Sequence, residues 1–216
     1  MKIGILGTGD VGKALGRGFI TLGHEVKMGS REAANEKALA WAREVGAKAS
    51  AGTFAEAAEF GEIIALATLG LANESALRLA GPERFRGKVV IDATNPLDFS
   101  GGRPKLAELE EGSGGEQVQR LLPDAHVVKA FNTVGNAHMF RPDFPGGPPD
   151  MFICGNDADA KKKVAEILSD FGWGAVDVGG IEASHYLEAM CMVWVDYGIR
   201  TNTWNHAFKL LRKARA

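Results

Sequence analysis

Gly7, Gly9 and Gly12, spaced G-x-G-x-x-G, follow the apolar run Lys2-Ile3-Gly4-Ile5-Leu6 and precede Ala14, Leu15, Gly18, Phe19 and Leu22 at helical spacing. A dinucleotide diphosphate needs this order of strand, glycine turn and helix. Gly7 permits the tight turn, Gly9 lets the backbone approach the phosphates, Gly12 lets helix and strand pack closely, and the anion lies over the helix N-terminus. Glycine turns also serve purely structural ends, so the flanking strand and helix are what favour nucleotide binding here.

A second strand, Glu25-Val26-Lys27-Met28, ends at Gly29-Ser30-Arg31. Folds specific for NAD place an Asp or Glu near this point to take the ribose hydroxyls. A carboxylate ~4 Å from a 2′-phosphate would cost on the order of a few kcal/mol at an effective dielectric of about 20. Arg31 instead offers a paired, charge-assisted contact to phosphate, and Ser30 a hydroxyl, so the tip points to NADP over NAD. The alternative role for Ser30 is to cap the next helix, with Arg31 and Glu32 on its first turn.

Three later strand ends carry small or polar side chains: Thr68-Leu69-Gly70, Thr94-Asn95-Pro96 and Asn132-Thr133. In an open α/β sheet the ligand lies beyond the carboxyl ends of the strands. Amides and hydroxyls there suit the ribose and carboxamide of a nicotinamide, and Leu69 and Pro96 offer apolar surface to its ring. Taken singly, such residues are more often turn residues or helix caps. Equally informative is the missing acid–base pair. Tyr186 is followed four residues later by Met190, not by a lysine, and His185 and His138 are lone histidines of the kind that more often cap or pack. Direct hydride exchange between a nicotinamide and a flavin-like ring needs little protein acid or base, so this absence favours a reaction between two cofactors.

The elements that must hold these tips alternate strand and helix, which predicts a doubly wound, mostly parallel α/β sheet. Helices are expected over 33–45, from Thr53, over 72–80, 117–122 and 158–171, with a short one near 106–110. Further strands are expected at 47–49, 62–68, 88–96, 126–133, 151–155 and 174–178. The Pro-rich segment 141–149 suits a surface loop or a lid. From Glu182 to about Arg212 bulky residues recur every three or four positions, predicting one long helix or two joined near Gly198. Residues 1–180 thus read as a nucleotide-binding domain and 181–216 as a helical extension. Its stripe exceeds what one sheet needs, which suggests a homodimer.

The chain has 216 residues, with 25 basic and 27 acidic side chains and a net charge of −2. Nothing in that balance suggests a nucleic-acid or membrane-surface partner. No apolar run reaches the ~18 residues of a membrane span. Two cysteines lacking metal-ligand spacing fit a cytoplasmic protein with reduced thiols.

Gly7-Thr8-Gly9-Asp10-Val11-Gly12, Gly29-Ser30-Arg31, Asp92-Ala93-Thr94-Asn95-Pro96, Lys129-Ala130-Phe131-Asn132-Thr133 and Gly155-Asn156-Asp157 together resemble the NADP-dependent coenzyme F420 oxidoreductase family. That superfamily includes the reductase domain of the STEAP metalloreductases, which pass hydride from NADPH to flavin. The resemblance spans nearly the whole chain. It implies that Thr8, Gly9, Asp10 and Val11 follow the diphosphate, that Ser30 and Arg31 hold the 2′-phosphate, and that the later tips surround the nicotinamide. It also implies a small-molecule redox acceptor, F420 or a flavin, and a dimer with C-terminal helices at its interface. The chain departs from the archaeal enzymes in having Phe131-Asn132-Thr133 where they have a His-containing segment, and Asn35 where they have a basic residue. Weighed against hydride transfer to a flavin or deazaflavin are a short β-hydroxyacid or imine dehydrogenase and a non-catalytic NADP(H) sensor.

Overall fold

The computed structural model describes residues 1–213. In chain order the elements are β1 (Lys2–Leu6), α1 (Asp10–Thr21), β2 (Glu25–Ser30), α2 (Glu36–Val45), β3 (Ala49–Thr53), α3 (Phe54–Phe60), β4 (Ile63–Leu66) and α4 (Asn73–Ala80). After these come β5 (Val89–Asp92), β6 (Leu97–Asp98), β7 (Lys105–Leu106), α5 (Gly114–Leu121), β8 (His126–Lys129), β9 (Asp150–Gly155), α6 (Ala158–Asp170), β10 (Gly174–Asp177) and α7 (Ser184–Thr201).

Eight strands form one sheet in the order β10-β9-β8-β5-β4-β1-β2-β3. All neighbours run parallel except β8 and β9, which are antiparallel. The doubly wound, mostly parallel sheet is therefore present, with a reversed pair at one edge. Its central strands are apolar on both faces, as strands covered by helices on both sides must be. Alternate residues feed opposite layers. Ile3, Ile5, Ala65, Ile91 and Val128 pack with Leu15, Phe19, Trp41 and Val164. Leu6, Ile64, Leu66, Val90 and Val127 pack with Phe54, Ala57, Leu77 and Val118.

Several boundaries differ from those the sequence suggests. The helix expected over 33–45 starts at Glu36, because Asn35 rather than Ser30 accepts the Ala38 N–H as its cap. The strand expected at 47–49 lies at β3, paired in parallel with β2. The strand expected over 126–133 ends at Lys129, and Phe131 then takes a left-handed φ of 63°. No helix forms near 106–110; Leu106 instead pairs with Leu97 in the two-residue hairpin β6–β7. The helix expected to run to about Arg212 stops at Thr201, where Asn202 takes a left-handed φ of 51°. The chain then folds back without helix, with Trp204 against Trp194 and Trp194 Nε1 donating to the His206 carbonyl at 2.9 Å. Residues 214–216 of the expected extension lie outside the described residues. Among the described residues, no helix is long and apolar enough to cross a membrane.

Candidate dinucleotide site

The glycine turn leaves β1 at the middle of the sheet, between β2 and β4. Gly7 has a φ of 129°, open in practice to glycine alone, and a Cβ there would run into the Ala67 carbonyl of the adjacent strand end. A Cβ on Gly12 would strike the Gly7 carbonyl, so this glycine keeps α1 close to the turn. Gly9 is different: a Cβ built on it meets nothing within 4 Å. It stands at the N-cap of α1, whose first turn receives no side-chain cap. The first amide N–H groups of a helix have no partner within it, and they carry the positive end of its dipole. Open space in front of those donors fits a phosphate group.

A cleft of about 690 Å³ lies over this turn, lined by Gly7, Thr8, Gly9, Asp10 and Val11, by Ser30 and Arg31, and by Thr68 and Leu69. Gly12 supports it from behind without lining it. Arg31 is exposed and makes no ion pair among the described residues. Ser30 is buried, and its hydroxyl donates to the Glu32 carbonyl, with the Gly52 carbonyl 3.5 Å away. Leu69 is 76% exposed at the rim. Sequence reasoning did not place Asn35, Phe54, Ser75 or Asn136 in the lining. Asn136 sits just beyond the Asn132-Thr133 tip and Asn35 just beyond Arg31, which was the available signal.

The two later tips do not line the cleft. Asn95 Nδ2 donates to the Asn132 carbonyl at 2.8 Å, and Asn132 Nδ2 donates to Asn95 Oδ1 and to the Leu187 carbonyl, both at 2.9 Å. These bonds tie the end of β5 to the end of β8 and to α7. The left-handed Phe131, buried against Phe171, makes the turn that brings Asn132 there. Asn132 Oδ1 has no hydrogen-bond partner in the protein. Pro96 is buried, with Gly114 against its ring, and the Thr133 hydroxyl faces Met151 Sδ.

Below the tips, Lys129 is fully buried between Asp92 Oδ2 at 2.8 Å and Glu188 Oε1 at 3.0 Å. Burial alone would pull the ammonium's pKa down, but the two carboxylates outweigh it and hold Lys129 above its usual range. Glu188 also accepts the Gly114 and Gly115 N–H groups, so the N-terminus of α5 helps offset the second negative charge. Its pairing with the end of β8 and the start of α5 could not be read from α7's apolar spacing. Cys191, packed nearby, is pushed up to about 12, mainly by burial, and burial raises Cys154 as well, so neither is a thiolate nucleophile at neutral pH.

A sheet wound this way, with its first turn left open in front of a helix N-terminus, is the Rossmann arrangement of dinucleotide-binding proteins. The chain belongs to the coenzyme F420-dependent NADP oxidoreductase family, and by that membership it is an NADP-dependent oxidoreductase. The family's sequence model, "NADP oxidoreductase coenzyme F420-dependent", matches residues 2–96. The chain is 32% identical to the F420-dependent NADP reductase of Methanothermobacter marburgensis, over 97% of this chain and 98% of that protein. It is similar to the crystal structure of a putative F420-dependent NADP-reductase from Arthrobacter sp. FB24, with a TM-score of 0.91, 37% identity, and coverage of 98% of this chain and 100% of that one. Metalloreductase STEAP3 of Rattus norvegicus is 28% identical over 88% of this chain but only 36% of its own length.

Proposed function

We propose that the protein transfers hydride between NADP(H) lying along the cleft and a deazaflavin of the F420 type at its open side, with a flavin as the alternative acceptor. The observation that carries this reading is the open space before the uncapped N-terminus of α1, in the same cleft as Ser30 and Arg31. In it, Gly7, Thr8, Gly9, Asp10 and Val11 follow the diphosphate, Gly12 holds the helix close, and Arg31 takes the 2′-phosphate, joined by Ser30 once its hydroxyl turns from the Glu32 carbonyl to the phosphate. Thr68 and Leu69 flank the nicotinamide end, with Asn95, Pro96, Asn132 and Thr133 supporting it from behind.

When bound, the nicotinamide supplies the hydride chemistry. The protein's part is to orient it and leave one side open. Asp10 and Arg31 are the only ionisable side chains among the described residues lining the cleft, and both stand at its diphosphate and 2′-phosphate end. That lining suits exchange between two rings better than reduction of a carbonyl or imine, which needs a proton donor at the reacting atom.

The test is to mix the protein with NADPH and each of F420, FMN, FAD and riboflavin, and to follow loss of reduced nicotinamide. Turnover with F420 is the expected result, and no turnover with any of the four would sink the reading. Arg31→Ala is expected to weaken NADPH by about tenfold or more while changing NADH little. Equal losses for both would remove Arg31 from the phosphate site.

The dimer belongs to the same reading. Tyr186, Met190, Val193 and Tyr197 fall at i, i+4, i+7 and i+11 on one face of α7, and Tyr186, Val193 and Tyr197 are exposed. The buried face of the helix carries Leu187, Cys191, Trp194 and Gly198. We assign the exposed face to contact with a second copy of the chain.

A further inference from the structure

A chain of buried polar groups runs from beneath the cleft to Lys129. Asp92 Oδ2 meets Lys129 Nζ at 2.8 Å, and Asp92 Oδ1 lies 2.6 Å from Thr94 Oγ1. Thr94 Oγ1 is 2.7 Å from Asn73 Nδ2, and Asn73 Oδ1 is 2.6 Å from Thr68 Oγ1. Asp92, Thr94, Asn73 and Lys129 are all buried, whereas Thr68 is half-buried and lines the cleft.

The sense of every bond follows from Asp92. A carboxylate against an ammonium is ionised and can only accept. Two oxygens 2.6 Å apart need a proton between them, and Thr94 alone can supply it. With its single hydrogen committed, Thr94 must accept from its other neighbour, so the part of Asn73 that meets it is the NH2 group. Asn73 then turns its carbonyl to Thr68, whose only hydrogen is drawn inward. What Thr68 leaves for the cleft is lone pairs.

We propose that Thr68 is a hydrogen-bond acceptor for the nicotinamide-nucleoside half of NADP(H), with its polarity fixed by the positioning residues Asn73, Thr94, Asp92 and Lys129. The inference rests on the NADP reading above. Thr68 lies beyond β4 and Arg31 beyond β2, on opposite sides of the β1 turn. A dinucleotide with its 2′-phosphate at Arg31 and its diphosphate across the turn lays its other nucleoside over β4. The donors in that half are the ribose hydroxyls and the carboxamide NH2. A hydroxyl free to rotate would serve either a donor or an acceptor; this one is held to one sense and selects a donor.

The test is calorimetric titration of NADPH and of 2′,5′-ADP, which lacks the nicotinamide nucleoside, against the wild type, Thr68→Val, Thr94→Val and Thr94→Ser. Both valine variants are expected to weaken NADPH about tenfold and to leave 2′,5′-ADP within about twofold, with Thr94→Ser restoring NADPH binding. A merely structural role for Thr94 would move both ligands together. Thr68→Val, at the edge of the cleft, tests the contact without opening the buried chain. Equal weakening of the two ligands in Thr68→Val, or no change in either, overturns the assignment. If 2′,5′-ADP fails to bind the wild type, the NADP reading falls and takes this assignment with it. Repeating the Thr68→Val comparison with the 3-acetylpyridine analogue of NADP locates the donor. A persisting penalty supports a ribose hydroxyl, and a vanished one supports the carboxamide.

Discussion

Lys129 keeps its charge out of water because Asp92 and Glu188 close on it from two sides. Its pKa is raised on folding, so its contribution to stability is fully present below its unfolded value of about 10.4 and is lost only as pH rises through the folded value. Lys129→Met removes the cation and leaves two buried carboxylates facing each other. We expect a loss of about 3–5 kcal/mol at neutral pH, measured by urea unfolding. A loss below about 1 kcal/mol would show that the buried ion pairs are not what holds these elements together. Asp92 was visible beforehand in the polar tip of an apolar strand, but Lys129 falls inside the strand expected over 126–133, and no local pattern says that Glu188, on a helix far along the chain, reaches it. Thr68 and Thr94 were visible as polar tips, whereas Asn73, the bridge between them, looked like any residue opening a helix.

The glycine turn separates packing from binding within one short element. Gly9→Ala places a methyl group in open space at an ordinary φ of −77°, so the protein should keep its Tm while NADPH binding is lost. Gly12→Ala drives a methyl group into the Gly7 carbonyl and should cost about 1–3 kcal/mol, seen as a fall in Tm of roughly 2–4 °C per kcal/mol. A normal Tm for Gly12→Ala, or a depressed one for Gly9→Ala, would reverse these roles. This turn was readable because an apolar strand, glycines and an amphipathic helix follow one another without interruption. The hairpin of β6 and β7 was not, since two residues per strand carry no period. The stop of α7 at Thr201 was hidden as well. Trp204, Phe208 and Leu211 continue the helical spacing, yet Trp204 packs against Trp194 in a chain that has turned back.

At the scale of the whole molecule, the sheet's winding follows from continuous apolar strands bounded by helices, and it was legible throughout. The reversal between β8 and β9 was not, because strand direction leaves no mark in composition; it depends on the path of the irregular segment 130–149. That segment is pinned by the C-terminal tail: Lys209 Nζ donates to the Pro148 carbonyl, and the Asp150 N–H donates to the Phe208 carbonyl. The Pro-rich stretch is thus a fastened surface loop. The outer face of α7 carries the molecule's assembly prediction. Val193→Asp combined with Tyr197→Asp should convert a dimer to a monomer in sedimentation while leaving the fold's circular dichroism intact. An unchanged sedimentation coefficient for the double variant would exclude this face as the contact.

The inward hydrogen bond of Ser30 bears on how the protein's preference could be re-engineered. The usual route to NADH would place an acid at the end of β2. At position 30 that acid would be buried against the carbonyls of Glu32 and Gly52, which offer it no proton. Ser30→Asp alone would therefore spoil the adenosine end of the cleft without creating a ribose ligand. A successful exchange of cofactor would have to rebuild the 30–32 turn together with the end of β3.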